Sequence, residues 1–330
     1  MKTIGVINLS PVGDVINSSP VCIRLKQFYK DIKLVYITTP RSYEIASCIS
    51  GVDKVIMFDK KGKHNGFGIM NFVFGLQEKI DIAIVLNETF RSAMLAFLLG
   101  ANKRIGRASE GRNFLLTHKI PHTAEEIDLK IHASEHYMRV LKPLGLYDPN
   151  FELELKYSED DRDFVERLLQ GNNVQSLIGI SPCTALDQKD LNPVEIAKFI
   201  DFINKKADCK VVILGLEKAR DFVCRLRELG VKDFIDLTCQ TNASQLVALV
   251  ARFKILISAD SAPMHIGFAL KIPTLGIFMN PVFQKWGPRS YEINQIIFKL
   301  GVVEGELIIQ EFLNLAEKVN FNCNIGIFNS

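Results

Sequence analysis

Two stretches of the chain place polar side chains where a strand passes into a helix. In the carboxyl-terminal half, the apolar run Lys254–Ser258 leads to Asp260 and Ser261, and His265 follows one helical turn later. Near the start, an apolar strand leads through Ser10–Asp14 into another helix. Open α/β sheets bind ligands beyond the carboxyl ends of their strands, and the N–H groups at a helix start favour anionic oxygens. The Asp260-Ser261 turn therefore favours binding of an anionic group such as a phosphate, although Asp260 alone could be an ordinary N-cap and His265 a core histidine.

These turns must be carried by a sheet, because strands alternate with helices along the whole chain. That alternation predicts right-handed βαβ units and parallel sheets. A chain of 330 residues is long for one hydrophobic core, so two domains are expected. A helix-capping cluster at residues 158–161 suggests a boundary that gives doubly wound domains of residues 1–155 and 156–330. The amphipathic segment Glu304–Val319 predicts a terminal helix that could pack back towards the first domain.

Three local expectations can be tested against a structure. Asp14–Lys30 is predicted to form one helix, with Pro20 interrupting its first turns. Ala108–Asp128 has little hydrophobic period and is predicted to be a long loop, which is usually functional or disordered. Lys130–Leu144 is amphipathic and predicts a helix that ends before Gly145.

Composition limits the class of protein. No apolar run approaches the length of a transmembrane helix, and seven cysteines without a C-x-x-C pair suit buried reduced thiols in a cytosolic protein. Residues 1–150 carry 20 Lys and Arg against 14 Asp and Glu, whereas the remainder is net acidic. The basic clusters Lys60–Lys63 and Lys103–Arg107 would suit an anionic acceptor or a membrane surface, although a solvated surface explains either cluster alone. No nucleic-acid-binding motif is present.

Taken together, these residues resemble the heptosyltransferases of glycosyltransferase family 9, which are GT-B enzymes of lipopolysaccharide core assembly. The resemblance rests on Asp260–His265 with the Trp286–Pro288 segment after it, on Val12–Val15 followed by Pro20, and more weakly on the loop from Thr184 to Lys189. It runs over essentially the whole chain.

The sequence departs from the family pattern at three places. Ala262 stands where glycine is usual, which would limit backbone approach to a diphosphate. Met279-Asn280 and Leu191-Asn192 also replace the usual residues, and these changes bear on the choice of donor.

The resemblance implies an α/β GT-B fold with two Rossmann-like domains that face a central cleft. It implies an inverting, metal-independent transferase that moves a heptose from a nucleotide sugar, expected to be ADP-heptose, to a lipopolysaccharide-core or related glycan acceptor. No cofactor and no metal are expected. The location implied is the cytoplasm, with peripheral contact at the cytoplasmic face of the inner membrane left open.

Site residues follow from the same resemblance. Asp14 on the amino-terminal, acceptor-binding domain would be the catalytic base. The carboxyl-terminal domain would bind the donor diphosphate through Thr184, Lys189, Asp260, Ser261, Ala262 and His265, and the nucleoside through Glu217 and Thr241. Charge alone suggests Lys60, Lys61, Arg107 and Arg112 as acceptor contacts.

Other interpretations remain open from the sequence. Asp14 could merely cap its helix, Lys189 could be an exposed loop lysine, and Glu217 a surface acid. The same fold could transfer another sugar, or serve a nucleotide-sugar epimerase or a nucleotide-binding protein without transferase activity. A dinucleotide oxidoreductase is disfavoured because Ser10–Asp14 lacks the G-x-G-x-x-G spacing.

Overall fold

The structure is a computed structural model that describes residues 2–109, 111–127, 131–170 and 176–321. The chain divides into two compact units, Met1–Lys156 and Tyr157–Ser330. Each unit has its own sheet and its own buried core, and each is described by itself.

The first unit contains a six-stranded parallel sheet. Its strands are β1 Lys2–Ile7, β2 Ile32–Thr38, β3 Lys54–Met57, β4 Ile82–Val85, β5 Lys103–Arg107 and β6 His118–Ile120. Its helices are α1 Val12–Asn17, α2 Ser19–Phe28, α3 Tyr43–Ser47, α4 Gly68–Gly75, α5 Phe90–Leu98, α6 Ala124–Ile127 and α7 Ala133–Met138, with 3₁₀ turns at Pro40–Ser42, Asn113–Leu115 and Arg139–Leu144.

The second unit contains another six-stranded parallel sheet. Its strands are β7 Leu177–Ser181, β8 Lys210–Ile213, β9 Ile235–Asp236, β10 Phe253–Ala259, β11 Thr274–Phe278 and β12 Asn294–Phe298. Its helices are α8 Glu159–Leu169, α9 Pro193–Lys206, α10 Glu217–Glu228, α11 Ala243–Val250, α12 Ala262–Ala269, α13 Phe283–Trp286 and α14 Gly305–Lys318, with a 3₁₀ turn at Asp187–Lys189.

The two sheets share one strand order. The first is ordered β3-β2-β1-β4-β5-β6 and the second β12-β11-β10-β7-β8-β9, which is the same doubly wound order viewed from the other edge. In such sheets the direction of winding reverses between two neighbouring central strands. These switch points lie between β1 and β4 and between β7 and β10. The turns after these four strands are therefore the places where each unit can bind a ligand.

Both cores are built from the sheet faces and the helices that cover them. In the second unit, the terminal helix α14 packs against α9, where the Phe199 and Phe312 rings meet edge to face at 5.2 Å. The N–H of Gly305, at the start of α14, donates to the Glu195 carboxylate at 2.7 Å. The terminal helix is thus fixed to its own unit.

The first predicted helix is two helices. α1 ends at Asn17, and Pro20 occupies the second position of α2, where its missing N–H has no intrahelical acceptor to lose. The interruption that Pro20 predicted is therefore a complete break. It leaves Asp14 in the first turn of a short helix of its own.

The prediction that Ala108–Asp128 is a loop is wrong for about half of its length. It contains a 3₁₀ turn, the edge strand β6 and the short helix α6, although Glu110 and Asp128 lie outside the described residues. Strand β6 pairs three residues with β5, from Ile105 opposite His118 to Arg107 opposite Ile120. Three residues are too few to show the alternation that identifies a strand in a sequence.

The segment after this loop is helical only in part. Lys130, where a single helix was predicted to begin, lies outside the described residues. Helix α7 begins after His132, whose ring nitrogen accepts from the Ser134 N–H at 3.2 Å. It continues as a tighter 3₁₀ turn that contains Pro143 and stops at Gly145, where φ is 68°. Proline and a left-handed glycine account for the end of the segment.

Two expectations from composition have structural counterparts. Within the described residues, no helix is long and apolar enough to cross a membrane. Six cysteines are described and all are free thiols, but Cys224 is exposed, so the expectation that the thiols are buried is wrong there. Cys323 lies outside the described residues.

Candidate active site

The first switch point holds Asp14 against a buried tyrosine. Asp14 lies in the first turn of α1, where a carboxylate interacts favourably with the helix dipole. The hydroxyl of Tyr137, on α7, donates to Asp14 Oδ1 at 2.5 Å. Burial and the neighbouring Asp14 charge raise the pKa of Tyr137 well above its usual value, so its hydroxyl stays protonated and acts as the donor. Asp14 is half-buried, and this contact fixes one of its two carboxylate oxygens.

Polar groups buried beneath α1 fix the turn that carries Asp14. The hydroxyls of Ser18 and Tyr36 share a hydrogen bond of 2.7 Å, and the Asn8 amide donates to Ser18 Oγ at 3.2 Å. The Ser18 hydroxyl also bonds to the Val15 carbonyl, at 2.8 Å. Because buried polar groups are costly to leave unpaired, this network holds α1 in one position on the sheet.

The end of β4 supports the same turn. Asn87 accepts from the Leu9 N–H and donates to the Ser10 hydroxyl, so the turn after β1 is tied to the turn after β4. The Lys60 ammonium donates to the Leu9 carbonyl at 2.5 Å. Partial burial lowers the pKa of Lys60, and the nearby charges of Lys61 and Arg91 lower it further. Lys60 therefore lies at the first switch point, while Lys61 is exposed next to it.

A carboxylate between two histidines lies at the same edge of the sheet. Glu88 follows Asn87 directly, and its two oxygens contact His136 Nε2 at 2.9 Å and His122 Nε2 at 3.1 Å. Burial acts to raise the pKa of Glu88, but the two histidines outweigh it and the pKa lies below its ordinary value. His136 precedes Tyr137, so this cluster is adjacent to the Asp14 contact along α7.

Arg107 and Arg112, predicted as acceptor contacts, are not on the surface. Arg107 is 1% exposed and donates two hydrogen bonds to Glu126, at 2.6 and 2.5 Å, in a bidentate pair. Arg112 is fully buried and donates to the main-chain carbonyls of Arg107 and Asn87. Both guanidinium groups hold the segment after β5 in place, so the geometry gives no support to acceptor binding by these two residues. Their charge made them candidates, and charge alone does not reveal burial.

The second switch point brings two predicted site residues together. The Lys189 ammonium contacts Asp260 Oδ2 at 2.7 Å, although the two residues are 71 positions apart. Lys189 comes from the loop after β7, and Asp260 from the turn after β10. Their side chains are 23% and 10% exposed, so the pair is largely withdrawn from solvent. An ammonium has three donors, and this contact uses one of them.

The loop that carries Lys189 is held by a lysine that the sequence did not single out. Lys218 Nζ contacts Asp190 at 2.5 Å and Asp187 at 2.6 Å, and it donates to the Thr184 carbonyl at 3.1 Å. Lys218 lies in the first turn of α10, where a cation opposes the helix dipole. A lysine at a helix start is unfavourable unless acidic groups lie nearby, so this position is a sequence signal that could have identified Lys218.

Thr184 lies in this loop with its hydroxyl engaged locally. The hydroxyl donates to the Leu186 carbonyl at 2.7 Å and accepts from the Leu186 N–H at 3.0 Å. Its own N–H donates to Asp190 at 2.7 Å. Thr184 therefore stabilises the loop. Its hydroxyl could donate to a ligand only by giving up its hydrogen bond to the Leu186 carbonyl.

Helix α12 begins where Asp260 ends the turn. Ser261 is the N-cap and Pro263 the second helical residue, while the Ser261 side chain makes no capping bond to the helix. Its hydroxyl instead lies 3.3 Å from Ser258 Oγ and 3.5 Å from Ser181 Oγ. Ala262 is the first helical residue, and alanine adopts that backbone without strain. The glycine that the family pattern has here is therefore not required by the conformation of this chain.

His265 is a buried neutral ring rather than a surface cation. It is 5% exposed and lies edge to face with Trp286, with ring centroids 6.0 Å apart. Burial lowers the pKa of His265 to about 4, although the Asp260 charge acts in the opposite direction. At neutral pH the imidazole is uncharged, so its part in anion binding is limited to an N–H donor or to packing.

The two predicted nucleoside contacts lie in neighbouring turns. Glu217 is the first residue of α10, which follows β8 after the strand stops at Ile213. Its carboxylate accepts from Arg220 at 3.2 Å and from the Cys239 thiol at 3.5 Å. Thr241 follows two residues after Cys239 and precedes α11. The structure thus brings Glu217 to the segment that contains Thr241, at the carboxyl ends of β8 and β9.

Several residues of the site act through partners that are distant along the chain, and the sequence does not reveal them. Tyr137 reads as an apolar position of an amphipathic helix, and its contact with Asp14 spans 123 positions. Glu88, His122 and His136 come from three separate segments with no shared spacing. Neither cluster leaves a motif in the sequence.

Comparison with known proteins identifies the family. Residues 71–303 match glycosyltransferase family 9 (heptosyltransferase), which is more than half of the chain. The chain is 23% identical over 291 residues to a lipopolysaccharide core heptosyltransferase of Haemophilus influenzae, and it covers 79% of that protein with 84% of its own length. It is 26% identical over 292 residues to lipopolysaccharide heptosyltransferase 3 of Escherichia coli, covering 84% of that protein with 86% of its own length.

Solved structures agree in fold. The ADP-heptose lipopolysaccharide heptosyltransferase II of E. coli matches with a TM-score of 0.80 at 19% identity, over 97% of this chain and all of that one. The E. coli heptosyltransferase WaaC with ADP matches with a TM-score of 0.72 at 17% identity, over 96% of this chain and 99% of that one. The predicted α/β fold of GT-B type, with two parallel Rossmann-like sheets, is confirmed. The chain belongs to glycosyltransferase family 9, the heptosyltransferase family, and is a glycosyltransferase.

Proposed function

We propose that the chain transfers a heptose from ADP-heptose to a lipopolysaccharide-core or related glycan acceptor, with inversion at the anomeric carbon and without a metal ion. The observation that carries the proposal is the contrast between the two switch points. One holds a carboxylate, Asp14, and the other a lysine ammonium, Lys189, beside a helix start. Transfer needs a base for the acceptor and a positive region for the leaving diphosphate.

The first switch point suits the acceptor half of the reaction. The acceptor hydroxyl would lose its proton to Asp14 as its oxygen attacks the anomeric carbon, and the bond from that carbon to the diphosphate oxygen would break. Tyr137 holds one Asp14 oxygen at 2.5 Å and so orients the carboxylate that would accept the proton. General-base help of this kind is worth about 10²–10⁴ in rate.

The second switch point suits the leaving group. Negative charge grows on the diphosphate as the sugar departs, and Lys189 with the first N–H groups of α12 would stabilise it there. Thr184, Asp260, Ser261, Ala262 and His265 would shape this diphosphate site. A fixed ammonium and a helix start can supply the positive potential that a metal supplies in other transferases. Glu217 and Thr241 would contact the nucleoside.

The donor assignment draws on relatives. The name of the E. coli heptosyltransferase II includes ADP-heptose, and the structure of E. coli WaaC, which has the same fold, is one with ADP. For the acceptor, Lys60 and Lys61 are the predicted basic residues whose positions allow contact with an anionic sugar at the first switch point, since Arg107 and Arg112 are buried. A lipid-linked acceptor would bring the enzyme to a membrane surface, and a cytoplasmic location at the inner membrane is proposed with it.

A donor panel tests the proposal. Purified protein is given ADP-, UDP- and GDP-linked sugars with a heptose-acceptor glycan, with and without a chelator. Transfer is expected from ADP-heptose alone, unchanged by the chelator, with an anomeric configuration opposite to that of the donor. Turnover of another nucleotide sugar would mean that the donor is not ADP-heptose. A product with the same anomeric configuration as the donor would exclude Asp14 as a simple base. Loss of activity in the presence of the chelator would contradict metal independence.

A further inference from the structure

Two neighbouring helices of the first unit each expose a pair of phenylalanines seven residues apart. On α4 these are Phe67, at its N-cap, and Phe74, which are 95% and 79% exposed. On α5 they are Phe90 and Phe97, which are 48% and 47% exposed. Residues seven apart lie on the same side of a helix. Because α4 and α5 pack against each other, the two pairs lie on adjacent helices of the first unit.

A fifth phenylalanine extends this surface. Phe114, in the 3₁₀ turn after β5, is 72% exposed, and its ring lies 6.3 Å from that of Phe90. We call Phe67, Phe74, Phe90, Phe97 and Phe114 the phenylalanine face. None of its members belongs to the hydrophobic core, because α4 and α5 contribute other residues to it, such as Phe72 and Leu95. Exposed apolar groups that are clustered in this way mark a surface that binds something.

The residues around the phenylalanine face are basic. Residues 60–76 and 89–109, which carry four of its five members, contain seven Lys and Arg, of which Arg107 is buried, and no Asp or Glu, although Asp59, Glu88 and Glu110 flank these ranges. Lys61 and Lys63 are exposed in the loop before α4. Arg91, on α5, donates to the Lys60 carbonyl and to Asn65, which ties that loop to the face.

A basic residue also lies directly over one of the aromatic rings. The Arg104 guanidinium is 5.3 Å from the centroid of the Phe97 ring. Aromatic rings next to cationic side chains are the combination that binds the interface of an anionic bilayer, where rings enter the acyl boundary and cations meet the headgroups.

We propose that the phenylalanine face docks the first unit on an anionic lipid surface. A second copy of the chain fits less well, because a symmetric contact would set the acid-free basic segments of two copies against each other. Helix α4 has eight residues, so it can lie in the interface but cannot span a bilayer. Docking here would hold the unit that carries Asp14 at the surface where a lipid-linked acceptor resides.

Vesicle binding tests this surface. Protein is mixed with vesicles of equal parts phosphatidylglycerol and phosphatidylcholine, or of phosphatidylcholine alone, and the bound fraction is measured by flotation. We expect binding to the anionic vesicles that weakens with salt. Phe67→Ser with Phe74→Ser should lower the partition coefficient by about tenfold or more, and Lys61→Gln with Lys63→Gln by roughly fivefold per lysine.

A matched control comes from the second unit, where Leu300 and Val302 are 70% and 51% exposed. Leu300→Ser with Val302→Ser should leave vesicle binding unchanged; an equal loss would overturn the proposal, because apolar exposure anywhere would then suffice. Absence of binding to anionic vesicles would also overturn it. The proposal would likewise be overturned if sedimentation showed that the wild type is a dimer and the Phe67→Ser, Phe74→Ser variant a monomer, because the phenylalanine face would then bind a second copy of the chain.

The docking proposal extends the proposed function but can fail separately from it. Vesicle binding is measured without donor or acceptor, so it does not depend on transferase activity. Conversely, the Phe67→Ser, Phe74→Ser variant should retain full activity on a soluble, lipid-free acceptor and lose activity on the same acceptor anchored in anionic vesicles. Full activity on the anchored acceptor would contradict the docking role and leave the transferase assignment intact.

Discussion

The two units fold with the same strand order and differ in what their switch points carry. In the first unit the turn after β1 presents Asp14, and a buried tyrosine from α7 holds it. In the second unit the turns after β7 and β10 present Lys189 and Asp260 as a pair, beside the start of α12. One site is organised around a carboxylate and a neutral donor, the other around a lysine that is paired with a carboxylate beside a helix start.

This difference shows how one scaffold supplies two halves of a reaction. The parallel sheet fixes where loops converge, but it does not fix their charge. A carboxylate can accept a proton as a base, whereas a lysine beside a helix start attracts an anion. Substitutions at the two switch points should therefore have different kinetic effects. A substitution at the first should lower kcat, and a substitution at the second should weaken binding of the donor nucleotide.

The largest effect is expected at Asp14. Asp14→Asn keeps the shape of the side chain and removes its basicity, so kcat should fall by about 10²–10⁴. Affinity for ADP should stay within about twofold of the wild type, because the diphosphate would bind the second unit. Steady-state kinetics and calorimetry with ADP measure the two quantities.

The control for Asp14 is Asp148→Asn, which removes a partly buried carboxylate that pairs with Arg24 at 3.5 Å in the same unit. Its kcat should be unchanged. Transfer that survives in Asp14→Asn with wild-type kcat would show that the two switch points do not differ as argued, and that Asp14 only caps its helix.

A second prediction contrasts a buried ion pair in the first unit with an exposed one in the second. Arg107→Ala would remove the bidentate partner of buried Glu126 and leave only Arg139, at 3.4 Å, as a cation beside it; breaking a buried pair in this way typically costs about 3–5 kcal/mol of unfolding free energy. Arg252→Ala breaks a 3.0 Å pair with Glu166 whose side chains are about half exposed, and should cost roughly 0–1 kcal/mol. Denaturant unfolding compares the variants.

The Arg107 result also decides between two roles for that residue. If Arg107→Ala were as stable as the wild type but had a much higher KM for acceptor, the guanidinium would be an acceptor contact and the buried pair would be unimportant. The geometry favours the opposite result.

Sequence reasoning located both switch points because each is encoded locally. A strand, a turn with a capping residue and a helix follow one another within about twenty positions, as at Lys254–Leu270, and the order of such units sets the sheet topology. The elements it misjudged lack that local signal. Strand β6 is three residues long, and its identity depends on pairing with β5.

The burial and the partners of the site residues could not be predicted from the sequence for a related reason. Whether a charged residue is exposed depends on partners that fold next to it, such as Glu126 for Arg107, 19 positions away, and Asp14 for Tyr137, 123 away. Residue type and spacing identified which charges could matter. They could not say that Arg107 is buried or that Asp260 binds Lys189.

A smaller effect, on binding, is expected in the second unit. Lys189→Ala should weaken ADP affinity by about 10–100-fold, because a charged hydrogen bond to a phosphate is typically worth about 1.5–3 kcal/mol. Lys198→Ala, which removes a more exposed lysine paired with Glu195 in the same unit, is the matched control and should leave ADP affinity unchanged. Calorimetry in the presence of chelator measures both. Equal affinity in Lys189→Ala and the wild type would place the diphosphate elsewhere.

The smallest effect is expected at Tyr137, which contacts Asp14 at the first switch point. Tyr137→Phe removes the hydroxyl that fixes Asp14, so kcat should fall by about three- to tenfold from loss of positioning. The same hydroxyl favours the ionised carboxylate, so the acid limb of the pH–rate profile should move to higher pH in the variant. Tyr147→Phe is the matched control, because the Tyr147 hydroxyl donates to another carboxylate of the unit, that of Glu135, and it should alter neither quantity. A loss of rate in Tyr137→Phe without movement of the acid limb would mean that the tyrosine only packs against α1, whereas both changes together would identify it as the residue that positions the base.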